Sequence, residues 1–429
     1  MFKYGHQSID QLLNFKNNKI TDDGVKKILE EVKRLRDYLD WDYVGMDLTN
    51  NPITFQSIKA IAESEQINKI QLADFVLNDE AARLIANSRM LNLIYLKSTH
   101  LTPKGALLLA SKINLSEFSI LDNANAITHE VIKALNKQTK LKVIAFNNIT
   151  LSKEDMELLV QHPLEKLELT NVTLQKGALE FLRNAKIKTL SLNNMQLNDK
   201  DMEIFAENSS IQSLTLKYND IHLAGVKIIA TMPKLWLINL EGNRIGVKAV
   251  IILGQLKKTL ILRLPNIGFT SQDAIAFIKS NPKNERLDLS DNPIGDEALP
   301  YLLNDYYMAK MRVLRIKNLK ITDKGFEKLK HATSHDGGWL ELSGNHITAK
   351  GLKALINSLD EQSMQNIIID NNDIGDEGLK ALSNAKFCLF NVNIRNNHLS
   401  KAAVEDFITH LSGCVSPQSV IWRDESINQ

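Results

Sequence analysis

The stretch "LELSGNHITAKGLKALINSL", residues 340–359, decides the fold, because it joins two periodicities through one tight turn. In its first part Leu340 and Leu342 alternate with Glu341 and Ser343, so the leucines share one side of a short extended segment. Asn345 and Ile347 complete the pattern L-x-L-x-x-N-x-I/L. The second part is an amphipathic run that opens on Thr348, whose hydroxyl can accept a hydrogen bond from the free amides of a helix start. The stretch therefore reads as strand, turn, helix.

The same unit recurs along the chain. "MDLTNNPIT" (46–54), "LTLKYNDIH" (214–222), "INLEGNRIG" (238–246), "LDLSDNPIG" (287–295), "IIIDNNDIG" (367–375) and "VNIRNNHLS" (392–400) carry it most clearly. With weaker copies included, the asparagine position falls at 18, 51, 75, 99, 123, 149, 172, 195, 219, 243, 267, 292, 319, 345, 372 and 397, which makes sixteen units. Helix starts repeat with them, as in "ITDDGVKKILEEV" (20–32) and "LSKEDMELLV" (151–160), where Ser152 with Asp155 resembles a capping box. Glycine recurs near the helix starts (Gly24, Gly105, Gly225, Gly325, Gly351, Gly378), small where helix and strand are expected to approach closely.

These units resemble the ribonuclease-inhibitor-like class of leucine-rich repeats over essentially the whole chain. The resemblance implies an α/β solenoid, a horseshoe of about sixteen repeats with a parallel β-sheet on the concave face and helices on the convex face. It implies no single activity, because members of the class inhibit enzymes, activate GTPases, sense ligands or recruit substrates. The expected organisation is one domain over 1–429: an N-terminal cap and first repeat over 1–45, repeats over 46–400, and a C-terminal cap and tail over 401–429. The 33 residues between the first two anchors predict a longer first helix covering the end of the stack.

Nine of the sixteen anchors are Asn (18, 51, 123, 219, 243, 292, 345, 372 and 397), expected to bond buried backbone groups of their own turn and the next. The other slots hold Phe75, Thr99, Ile149, Val172, Met195, Ile267 and Leu319. Five of these follow an asparagine: Asn148, Asn171, Asn194, Asn266 and Asn318. They read as a second repeat variant, in which an apolar residue fills the anchor volume and the preceding Asn takes a positive φ.

Composition narrows the function. Fifty-two Lys and Arg against 50 Asp and Glu create no overall field to draw the chain onto nucleic acid or an anionic membrane. No apolar stretch approaches the ~20 residues of a membrane span, and the first residues lack the apolar core of a signal peptide. Cys388 and Cys414, about one period apart, are too few for a disulfide framework and point to a reducing compartment. There is no G-x-x-x-x-G-K-[ST], H-E-x-x-H, strand-linked G-x-G-x-x-G or C-x-x-C pair, and His331 with His335 beside "DGG" reads as a loop more readily than as a metal site. No cofactor, metal or catalytic residue is expected.

Strand alternation turns the residues six, four and two places before each anchor toward the face opposite the core. These columns gather Lys217, Arg263, Arg286, Arg315 and Lys317 on one stretch of the sheet, with Glu241 and Asp288 among them and Tyr218 and Trp339 at the margins. Tyr95 and Lys97 occupy the same columns nearer the N-terminus. A solvated ladder of Arg263, Asp288 and Arg315 is one reading, contributing little. A contact patch is the other, since Arg, Tyr and Trp often dominate interface energy. The expected function is a non-enzymatic, monomeric scaffold that recruits or inhibits a protein partner on its concave face. It is expected to be cytoplasmic, with delivery of a bacterial effector into a host cell as a refinement. The alternative is a GTPase-activating protein similar to the Ran-activating members of the repeat class.

Overall fold

The computed structural model describes residues 10–39, 43–206, 208–257, 259–304, 308–329, 338–359, 366–385, 389, 391–410 and 420–421. His331, His335, Cys388, Cys414 and the tail carboxylates Asp424 and Glu425 lie outside them. Contacts divide the chain into two compact units, the first comprising 1–195 with 207–211 and the second 196–206 with 212–429.

In the first unit, strands β1 (Asp10–Asn14), β2 (Tyr43–Asp47), β3 (Ile67–Ala73), β4 (Leu93–Lys97), β5 (Glu117–Leu121), β6 (Val143–Asn147), β7 (Lys166–Thr170) and β8 (Thr189–Asn193) form a parallel ladder in chain order. The second unit repeats this with β9 (Ser213–Thr215), β10 (Leu237–Asn239), β11 (Ile261–Arg263), β12 (Arg286–Asp288), β13 (Val313–Arg315), β14 (Trp339–Glu341), β15 (Asn366–Ile368), β16 (Asn391–Asn393) and β17 (Val420–Ile421). Parallel neighbours require a crossover, and a helix or short 3₁₀ turn follows nearly every strand. This is the leucine-rich repeat solenoid. The first helix, Asp22–Leu39, is the longest described, at 18 residues, as the 33-residue spacing predicted. β17 adds a strand within the expected C-terminal cap.

Alternation holds on the strands. Leu340 and Leu342 are fully buried, whereas Trp339 stays 39% exposed. The same one-in, one-out pattern buries Leu262, Leu264, Leu287, Leu289, Leu314 and Ile316.

The anchors are sealed by hydrogen bonds, but toward the other neighbour than expected. Asn345 accepts from the amides of Leu319 (3.0 Å) and Ile321 (3.1 Å) and donates to the carbonyls of Ile316 (3.0 Å), Leu342 (2.8 Å) and Ser343 (3.4 Å). It therefore serves its own turn and the preceding one. Eight of the nine anchor asparagines accept from a preceding-rung amide in this way. The ninth, Asn18 in the first described rung, donates its amide to the Lys16 carbonyl at 3.2 Å. Where the anchor is apolar, the backbone can pair without it. Thr150–Leu151 and Thr173–Leu174 form a second small parallel ladder beside Ile149 and Val172. Thr173 N donates to Ile149 O, and Gln175 N to Leu151 O, both at 2.9 Å.

Positive φ is not confined to the apolar-anchor variant. The residue before the anchor adopts it in all sixteen units, from 50° at Ser98 and Asn194 to 73° at Gly242. The turn itself demands the left-handed conformation, and Asn, Asp and Gly meet it at least cost. In the first unit these side chains also form a row: Asn148 donates to Asp122 (2.8 Å), Asn171 to Asn148, and Asn194 to Asn171 (3.4 Å).

At several of the recurring glycines the close neighbour is an aspartate of the preceding rung. Asp323 accepts from Thr348 N (2.9 Å), Thr348 Oγ1 (2.7 Å) and Gly351 N (3.0 Å), so the aspartate of one rung caps the helix of the next. A Cβ on Gly351 would stand 2.3 Å from that Asp323 Oδ1, and one on Gly225 would stand 2.6 Å from Asp199 Oδ1. At these two positions glycine is needed because the capping carboxylate fills the space of a side chain, whereas at Gly24 and Gly378 a Cβ would instead meet Ile20 and Ile374 of the same unit.

Ser152 and Asp155 form the capping box, with Asp155 N donating to Ser152 Oγ (3.1 Å) and Ser152 N to Asp155 Oδ2 (2.9 Å). His129 of the preceding helix joins it, 2.6 Å from Asp155 Oδ1. That bond lifts the imidazole above its ordinary 6.5. For Asp155, burial pushes upward, but the bonds from His129 and Ser152 prevail and hold it below 3.8. A raised histidine stabilises the fold fully below its unfolded value and ceases to do so as pH rises through its folded value. A lowered aspartate stabilises above its unfolded value and ceases to do so as pH falls through its folded one. The pair thus contributes most between about pH 4 and 6.5. His129→Gln is expected to flatten the decline in stability between pH 6 and 8, which denaturant titrations at both pH values check; an unchanged slope would remove His129 from this role.

Candidate functional site

The columns that alternation assigns to the face away from the core come together in the second unit. Register places Asn239, Arg263, Asp288, Arg315 and Glu341 in one row. A second row, two residues earlier, runs Leu237, Ile261, Arg286, Val313 and Trp339. Successive rungs are about 4.8 Å apart, so residues remote in sequence become neighbours. Lys217, Glu241, Arg263, Asp288, Arg315, Lys317 and Glu341 border one concavity of about 340 Å³, together with Asn239, Pro265, Ser290 and Asp291. Pro265, Ser290 and Asp291 were not singled out from the sequence, although the repeat positions them as firmly as the others.

The charges are partly paired. Lys217 Nζ lies 2.7 Å from Glu241 Oε2, and Tyr218 donates its hydroxyl to Glu241 Oε1 at 2.7 Å. Burial pushes the Glu241 carboxyl up, yet the hydrogen bonds from Lys217 and Tyr218 outweigh it and hold the group below its usual range. The Tyr218 phenol is correspondingly raised, chiefly by its bond to that carboxylate. Arg315 Nε pairs with Glu341 at 3.0 Å. Arg263, Asp288 and Arg315 are aligned as the ladder reading required, but no ion pair within 4 Å joins them. Arg263 Nε is buried without a hydrogen-bond partner. Arg286 and Lys317 are exposed.

Tyr218 occupies the positive-φ position, at 53°, where most rungs carry Asn, Asp or Gly. A bulky side chain is strained there. Its ring lies over Gly242, where an added Cβ would come within 2.3 Å of Tyr218 Cδ1, and half of the residue remains exposed. An exposed aromatic is thus held in a costly conformation beside the charged concavity.

Tyr95 and Lys97 belong to the first unit. Tyr95 sits between Gln71 and Ser119 in register, its phenol raised chiefly by burial, and Lys97 lies 3.8 Å from Asp122. Among the described residues no group of three His, Cys, Asp or Glu could hold a metal ion, and no helix is long and apolar enough to cross a membrane.

A leucine-rich repeat pattern matches the chain at residues 11–29, 285–302, 340–355 and 362–383, which contain the anchors at 18, 292, 345 and 372. Among solved structures, the chain is similar to one in the yeast complex of Rad7 and Elc1, at 14% identity and a TM-score of 0.42, covering 89% of this chain and 84% of that one. It is also similar to a chain in the octameric complex of Latrophilin 3, Unc5D and FLRT2, at 14% identity and a TM-score of 0.34, covering 66% of this chain and 84% of that one. No curated protein sequence matches it.

Proposed function

We propose that the chain is a non-enzymatic scaffold that recruits or inhibits a protein partner through the helix-free face of its second unit, with Arg263, Arg315, Lys317 and Trp339 as main contacts. Strained Tyr218 carries the reading: a residue that costs the turn stability, yet leaves its ring half exposed beside a charged concavity, is the kind of outlier that binding sites hold. The exposed Trp339 and the unpaired Arg263 supply further groups of the types that interface cores favour. The Asn-, Lys- and Ile-rich composition supports the refinement that this partner belongs to a host cell that the chain enters as a bacterial effector.

The test is affinity capture from lysate with wild type and Tyr218→Asn. Asparagine suits the left-handed turn, so the variant is expected to melt at or above the wild-type temperature while its yield of captured partner falls. Unchanged capture by a stable variant would remove Tyr218 from the interface. A small GTPase as the dominant captured protein would replace recruitment or inhibition with the GTPase-activating alternative.

A further inference from the structure

Adjoining the concavity and sharing Arg263, Asp288 and Arg315 with it, one small cleft has a charge that the protein's own groups do not close. Arg263, Arg286, Arg315 and Asp288 surround a space of about 60 Å³ whose apolar lining includes Ile261 and Val313. Asp288 Oδ1 accepts from the Ser290 amide at 3.0 Å, and Arg315 is engaged by Glu341. Arg263 and Arg286 make no ion pair among the described residues, and Arg263 Nε is buried with no acceptor. A buried donor left without an acceptor bears the full cost of its desolvation, so a group that supplies one is favoured there. Three guanidinium groups face one aspartate, and Glu341 neutralises Arg315, which leaves a single positive charge for an incoming ligand.

Resting on the protein-binding reading above, we propose that this cleft receives one carboxylate, the side chain of an acidic residue of the partner protein. The Arg263 guanidinium donates to it, and that of Arg286 closes over it from the adjacent rung. Size and charge both select this group. A water needs roughly 10–15 Å³ of such space, so the cleft holds a group of a few heavy atoms, and a carboxylate has three. A phosphate dianion brings a second negative charge toward Asp288 and Asp291 that the residual positive charge does not offset. Guanidinium groups offer paired N–H donors that match the two oxygens of a carboxylate.

The test uses the full chain with ¹⁵N-labelled arginine, following the Nε–Hε cross-peak of Arg263, identified by its loss in Arg263→Lys. Sodium acetate, inorganic phosphate and sodium chloride are titrated at matched ionic strength. The Arg263 signal is expected to shift saturably with acetate, less with phosphate, and not with chloride; Arg286→Gln is expected to weaken the acetate response roughly tenfold. A shift no larger than that with chloride overturns the carboxylate assignment, as does tighter binding of phosphate. The two readings fail separately. Loss of partner capture on reversing the arginines, with no acetate response, leaves the binding face standing and removes only the carboxylate. Saturable acetate binding, with partner capture indifferent to that reversal, keeps the cleft as a carboxylate site but removes the partner side chain as its occupant.

Discussion

The double variant Arg263→Glu, Arg315→Glu is expected to lose partner capture while keeping the wild-type fold. Both residues stand in one row of the sheet, separated by a single rung that carries Asp288. If they meet acidic groups, reversal replaces two attractions by two repulsions, a loss of about 2 kcal/mol or more. The ion pair that is lost contributes less than this to folding. Arg315 and Glu341 are 41% and 22% exposed at their side chains, and a pair so open to water contributes within ~1 kcal/mol. Arg263 has no ion pair within 4 Å to break, but its charge helps hold the Glu241 carboxyl low, and the double reversal sets four carboxylates on successive rungs with Asp288 and Glu341, which lowers stability without breaking the strand ladder. The circular dichroism spectrum should therefore stay near wild type with a modest fall in melting temperature, while Arg263→Gln, Arg315→Gln, which adds no repulsion, should also lose capture and melt closer to wild type. Raising salt should weaken the wild-type complex, since attractions between exposed charges are screened within a Debye length of about 8 Å near physiological ionic strength. Capture equal to wild type would reduce these residues to a solvated row and turn attention to Tyr95 and Lys97 in the first unit.

Asn345→Ala is expected to destabilise the second unit by about 1–3 kcal/mol. Its side chain closes two amides of the preceding rung and three carbonyls, and it is 4% exposed, so water cannot take over those groups. Alanine also leaves a cavity that the neighbouring backbone, held by the strand ladder, fills only in part. Asn194→Ala should cost less, on the order of 0.5–1 kcal/mol, because Asn194 is exposed and supports a left-handed turn at φ 50° with one long bond to Asn171. Denaturant midpoints of the two variants decide the matter. If Asn194→Ala proved the more damaging, the row of turn asparagines, and not the buried anchors, would hold the rungs together.

The apolar anchors at Ile149 and Val172 show why such a chain tolerates losing its asparagine in some rungs. There the two segments after the turn pair directly, Thr150–Leu151 with Thr173–Leu174, so amides that an anchor oxygen satisfies elsewhere find a carbonyl instead. Apolar anchors in adjacent units were visible in the sequence, but the pairing that replaces them was not. It depends on two neighbouring rungs lacking the anchor together.

The sequence by itself determined the repeat, its period, the buried faces of the strands and the columns on the opposite face. In a solenoid each rung stacks on the next in fixed register, so position within the unit converts directly into position on the sheet. That is why Lys217, Arg263, Arg286, Arg315, Lys317 and Trp339 could be gathered from units spread over residues 217–339. Only the tertiary structure decided which charges pair. Arg315 has an acidic neighbour on each side in register, Asp288 and Glu341, and it takes Glu341, while Asp288 turns to the Ser290 amide. Such choices depend on side-chain rotamers and local backbone direction, which a periodic pattern does not encode. The same holds for Gly225 and Gly351 at their helix starts, whose need is set by an aspartate reaching across from the preceding rung. It holds too for the turn residues. Composition marked five asparagines as left-handed, whereas the geometry of the tight turn imposes that conformation on all sixteen rungs, including Tyr218, where the chemistry of the side chain resists it.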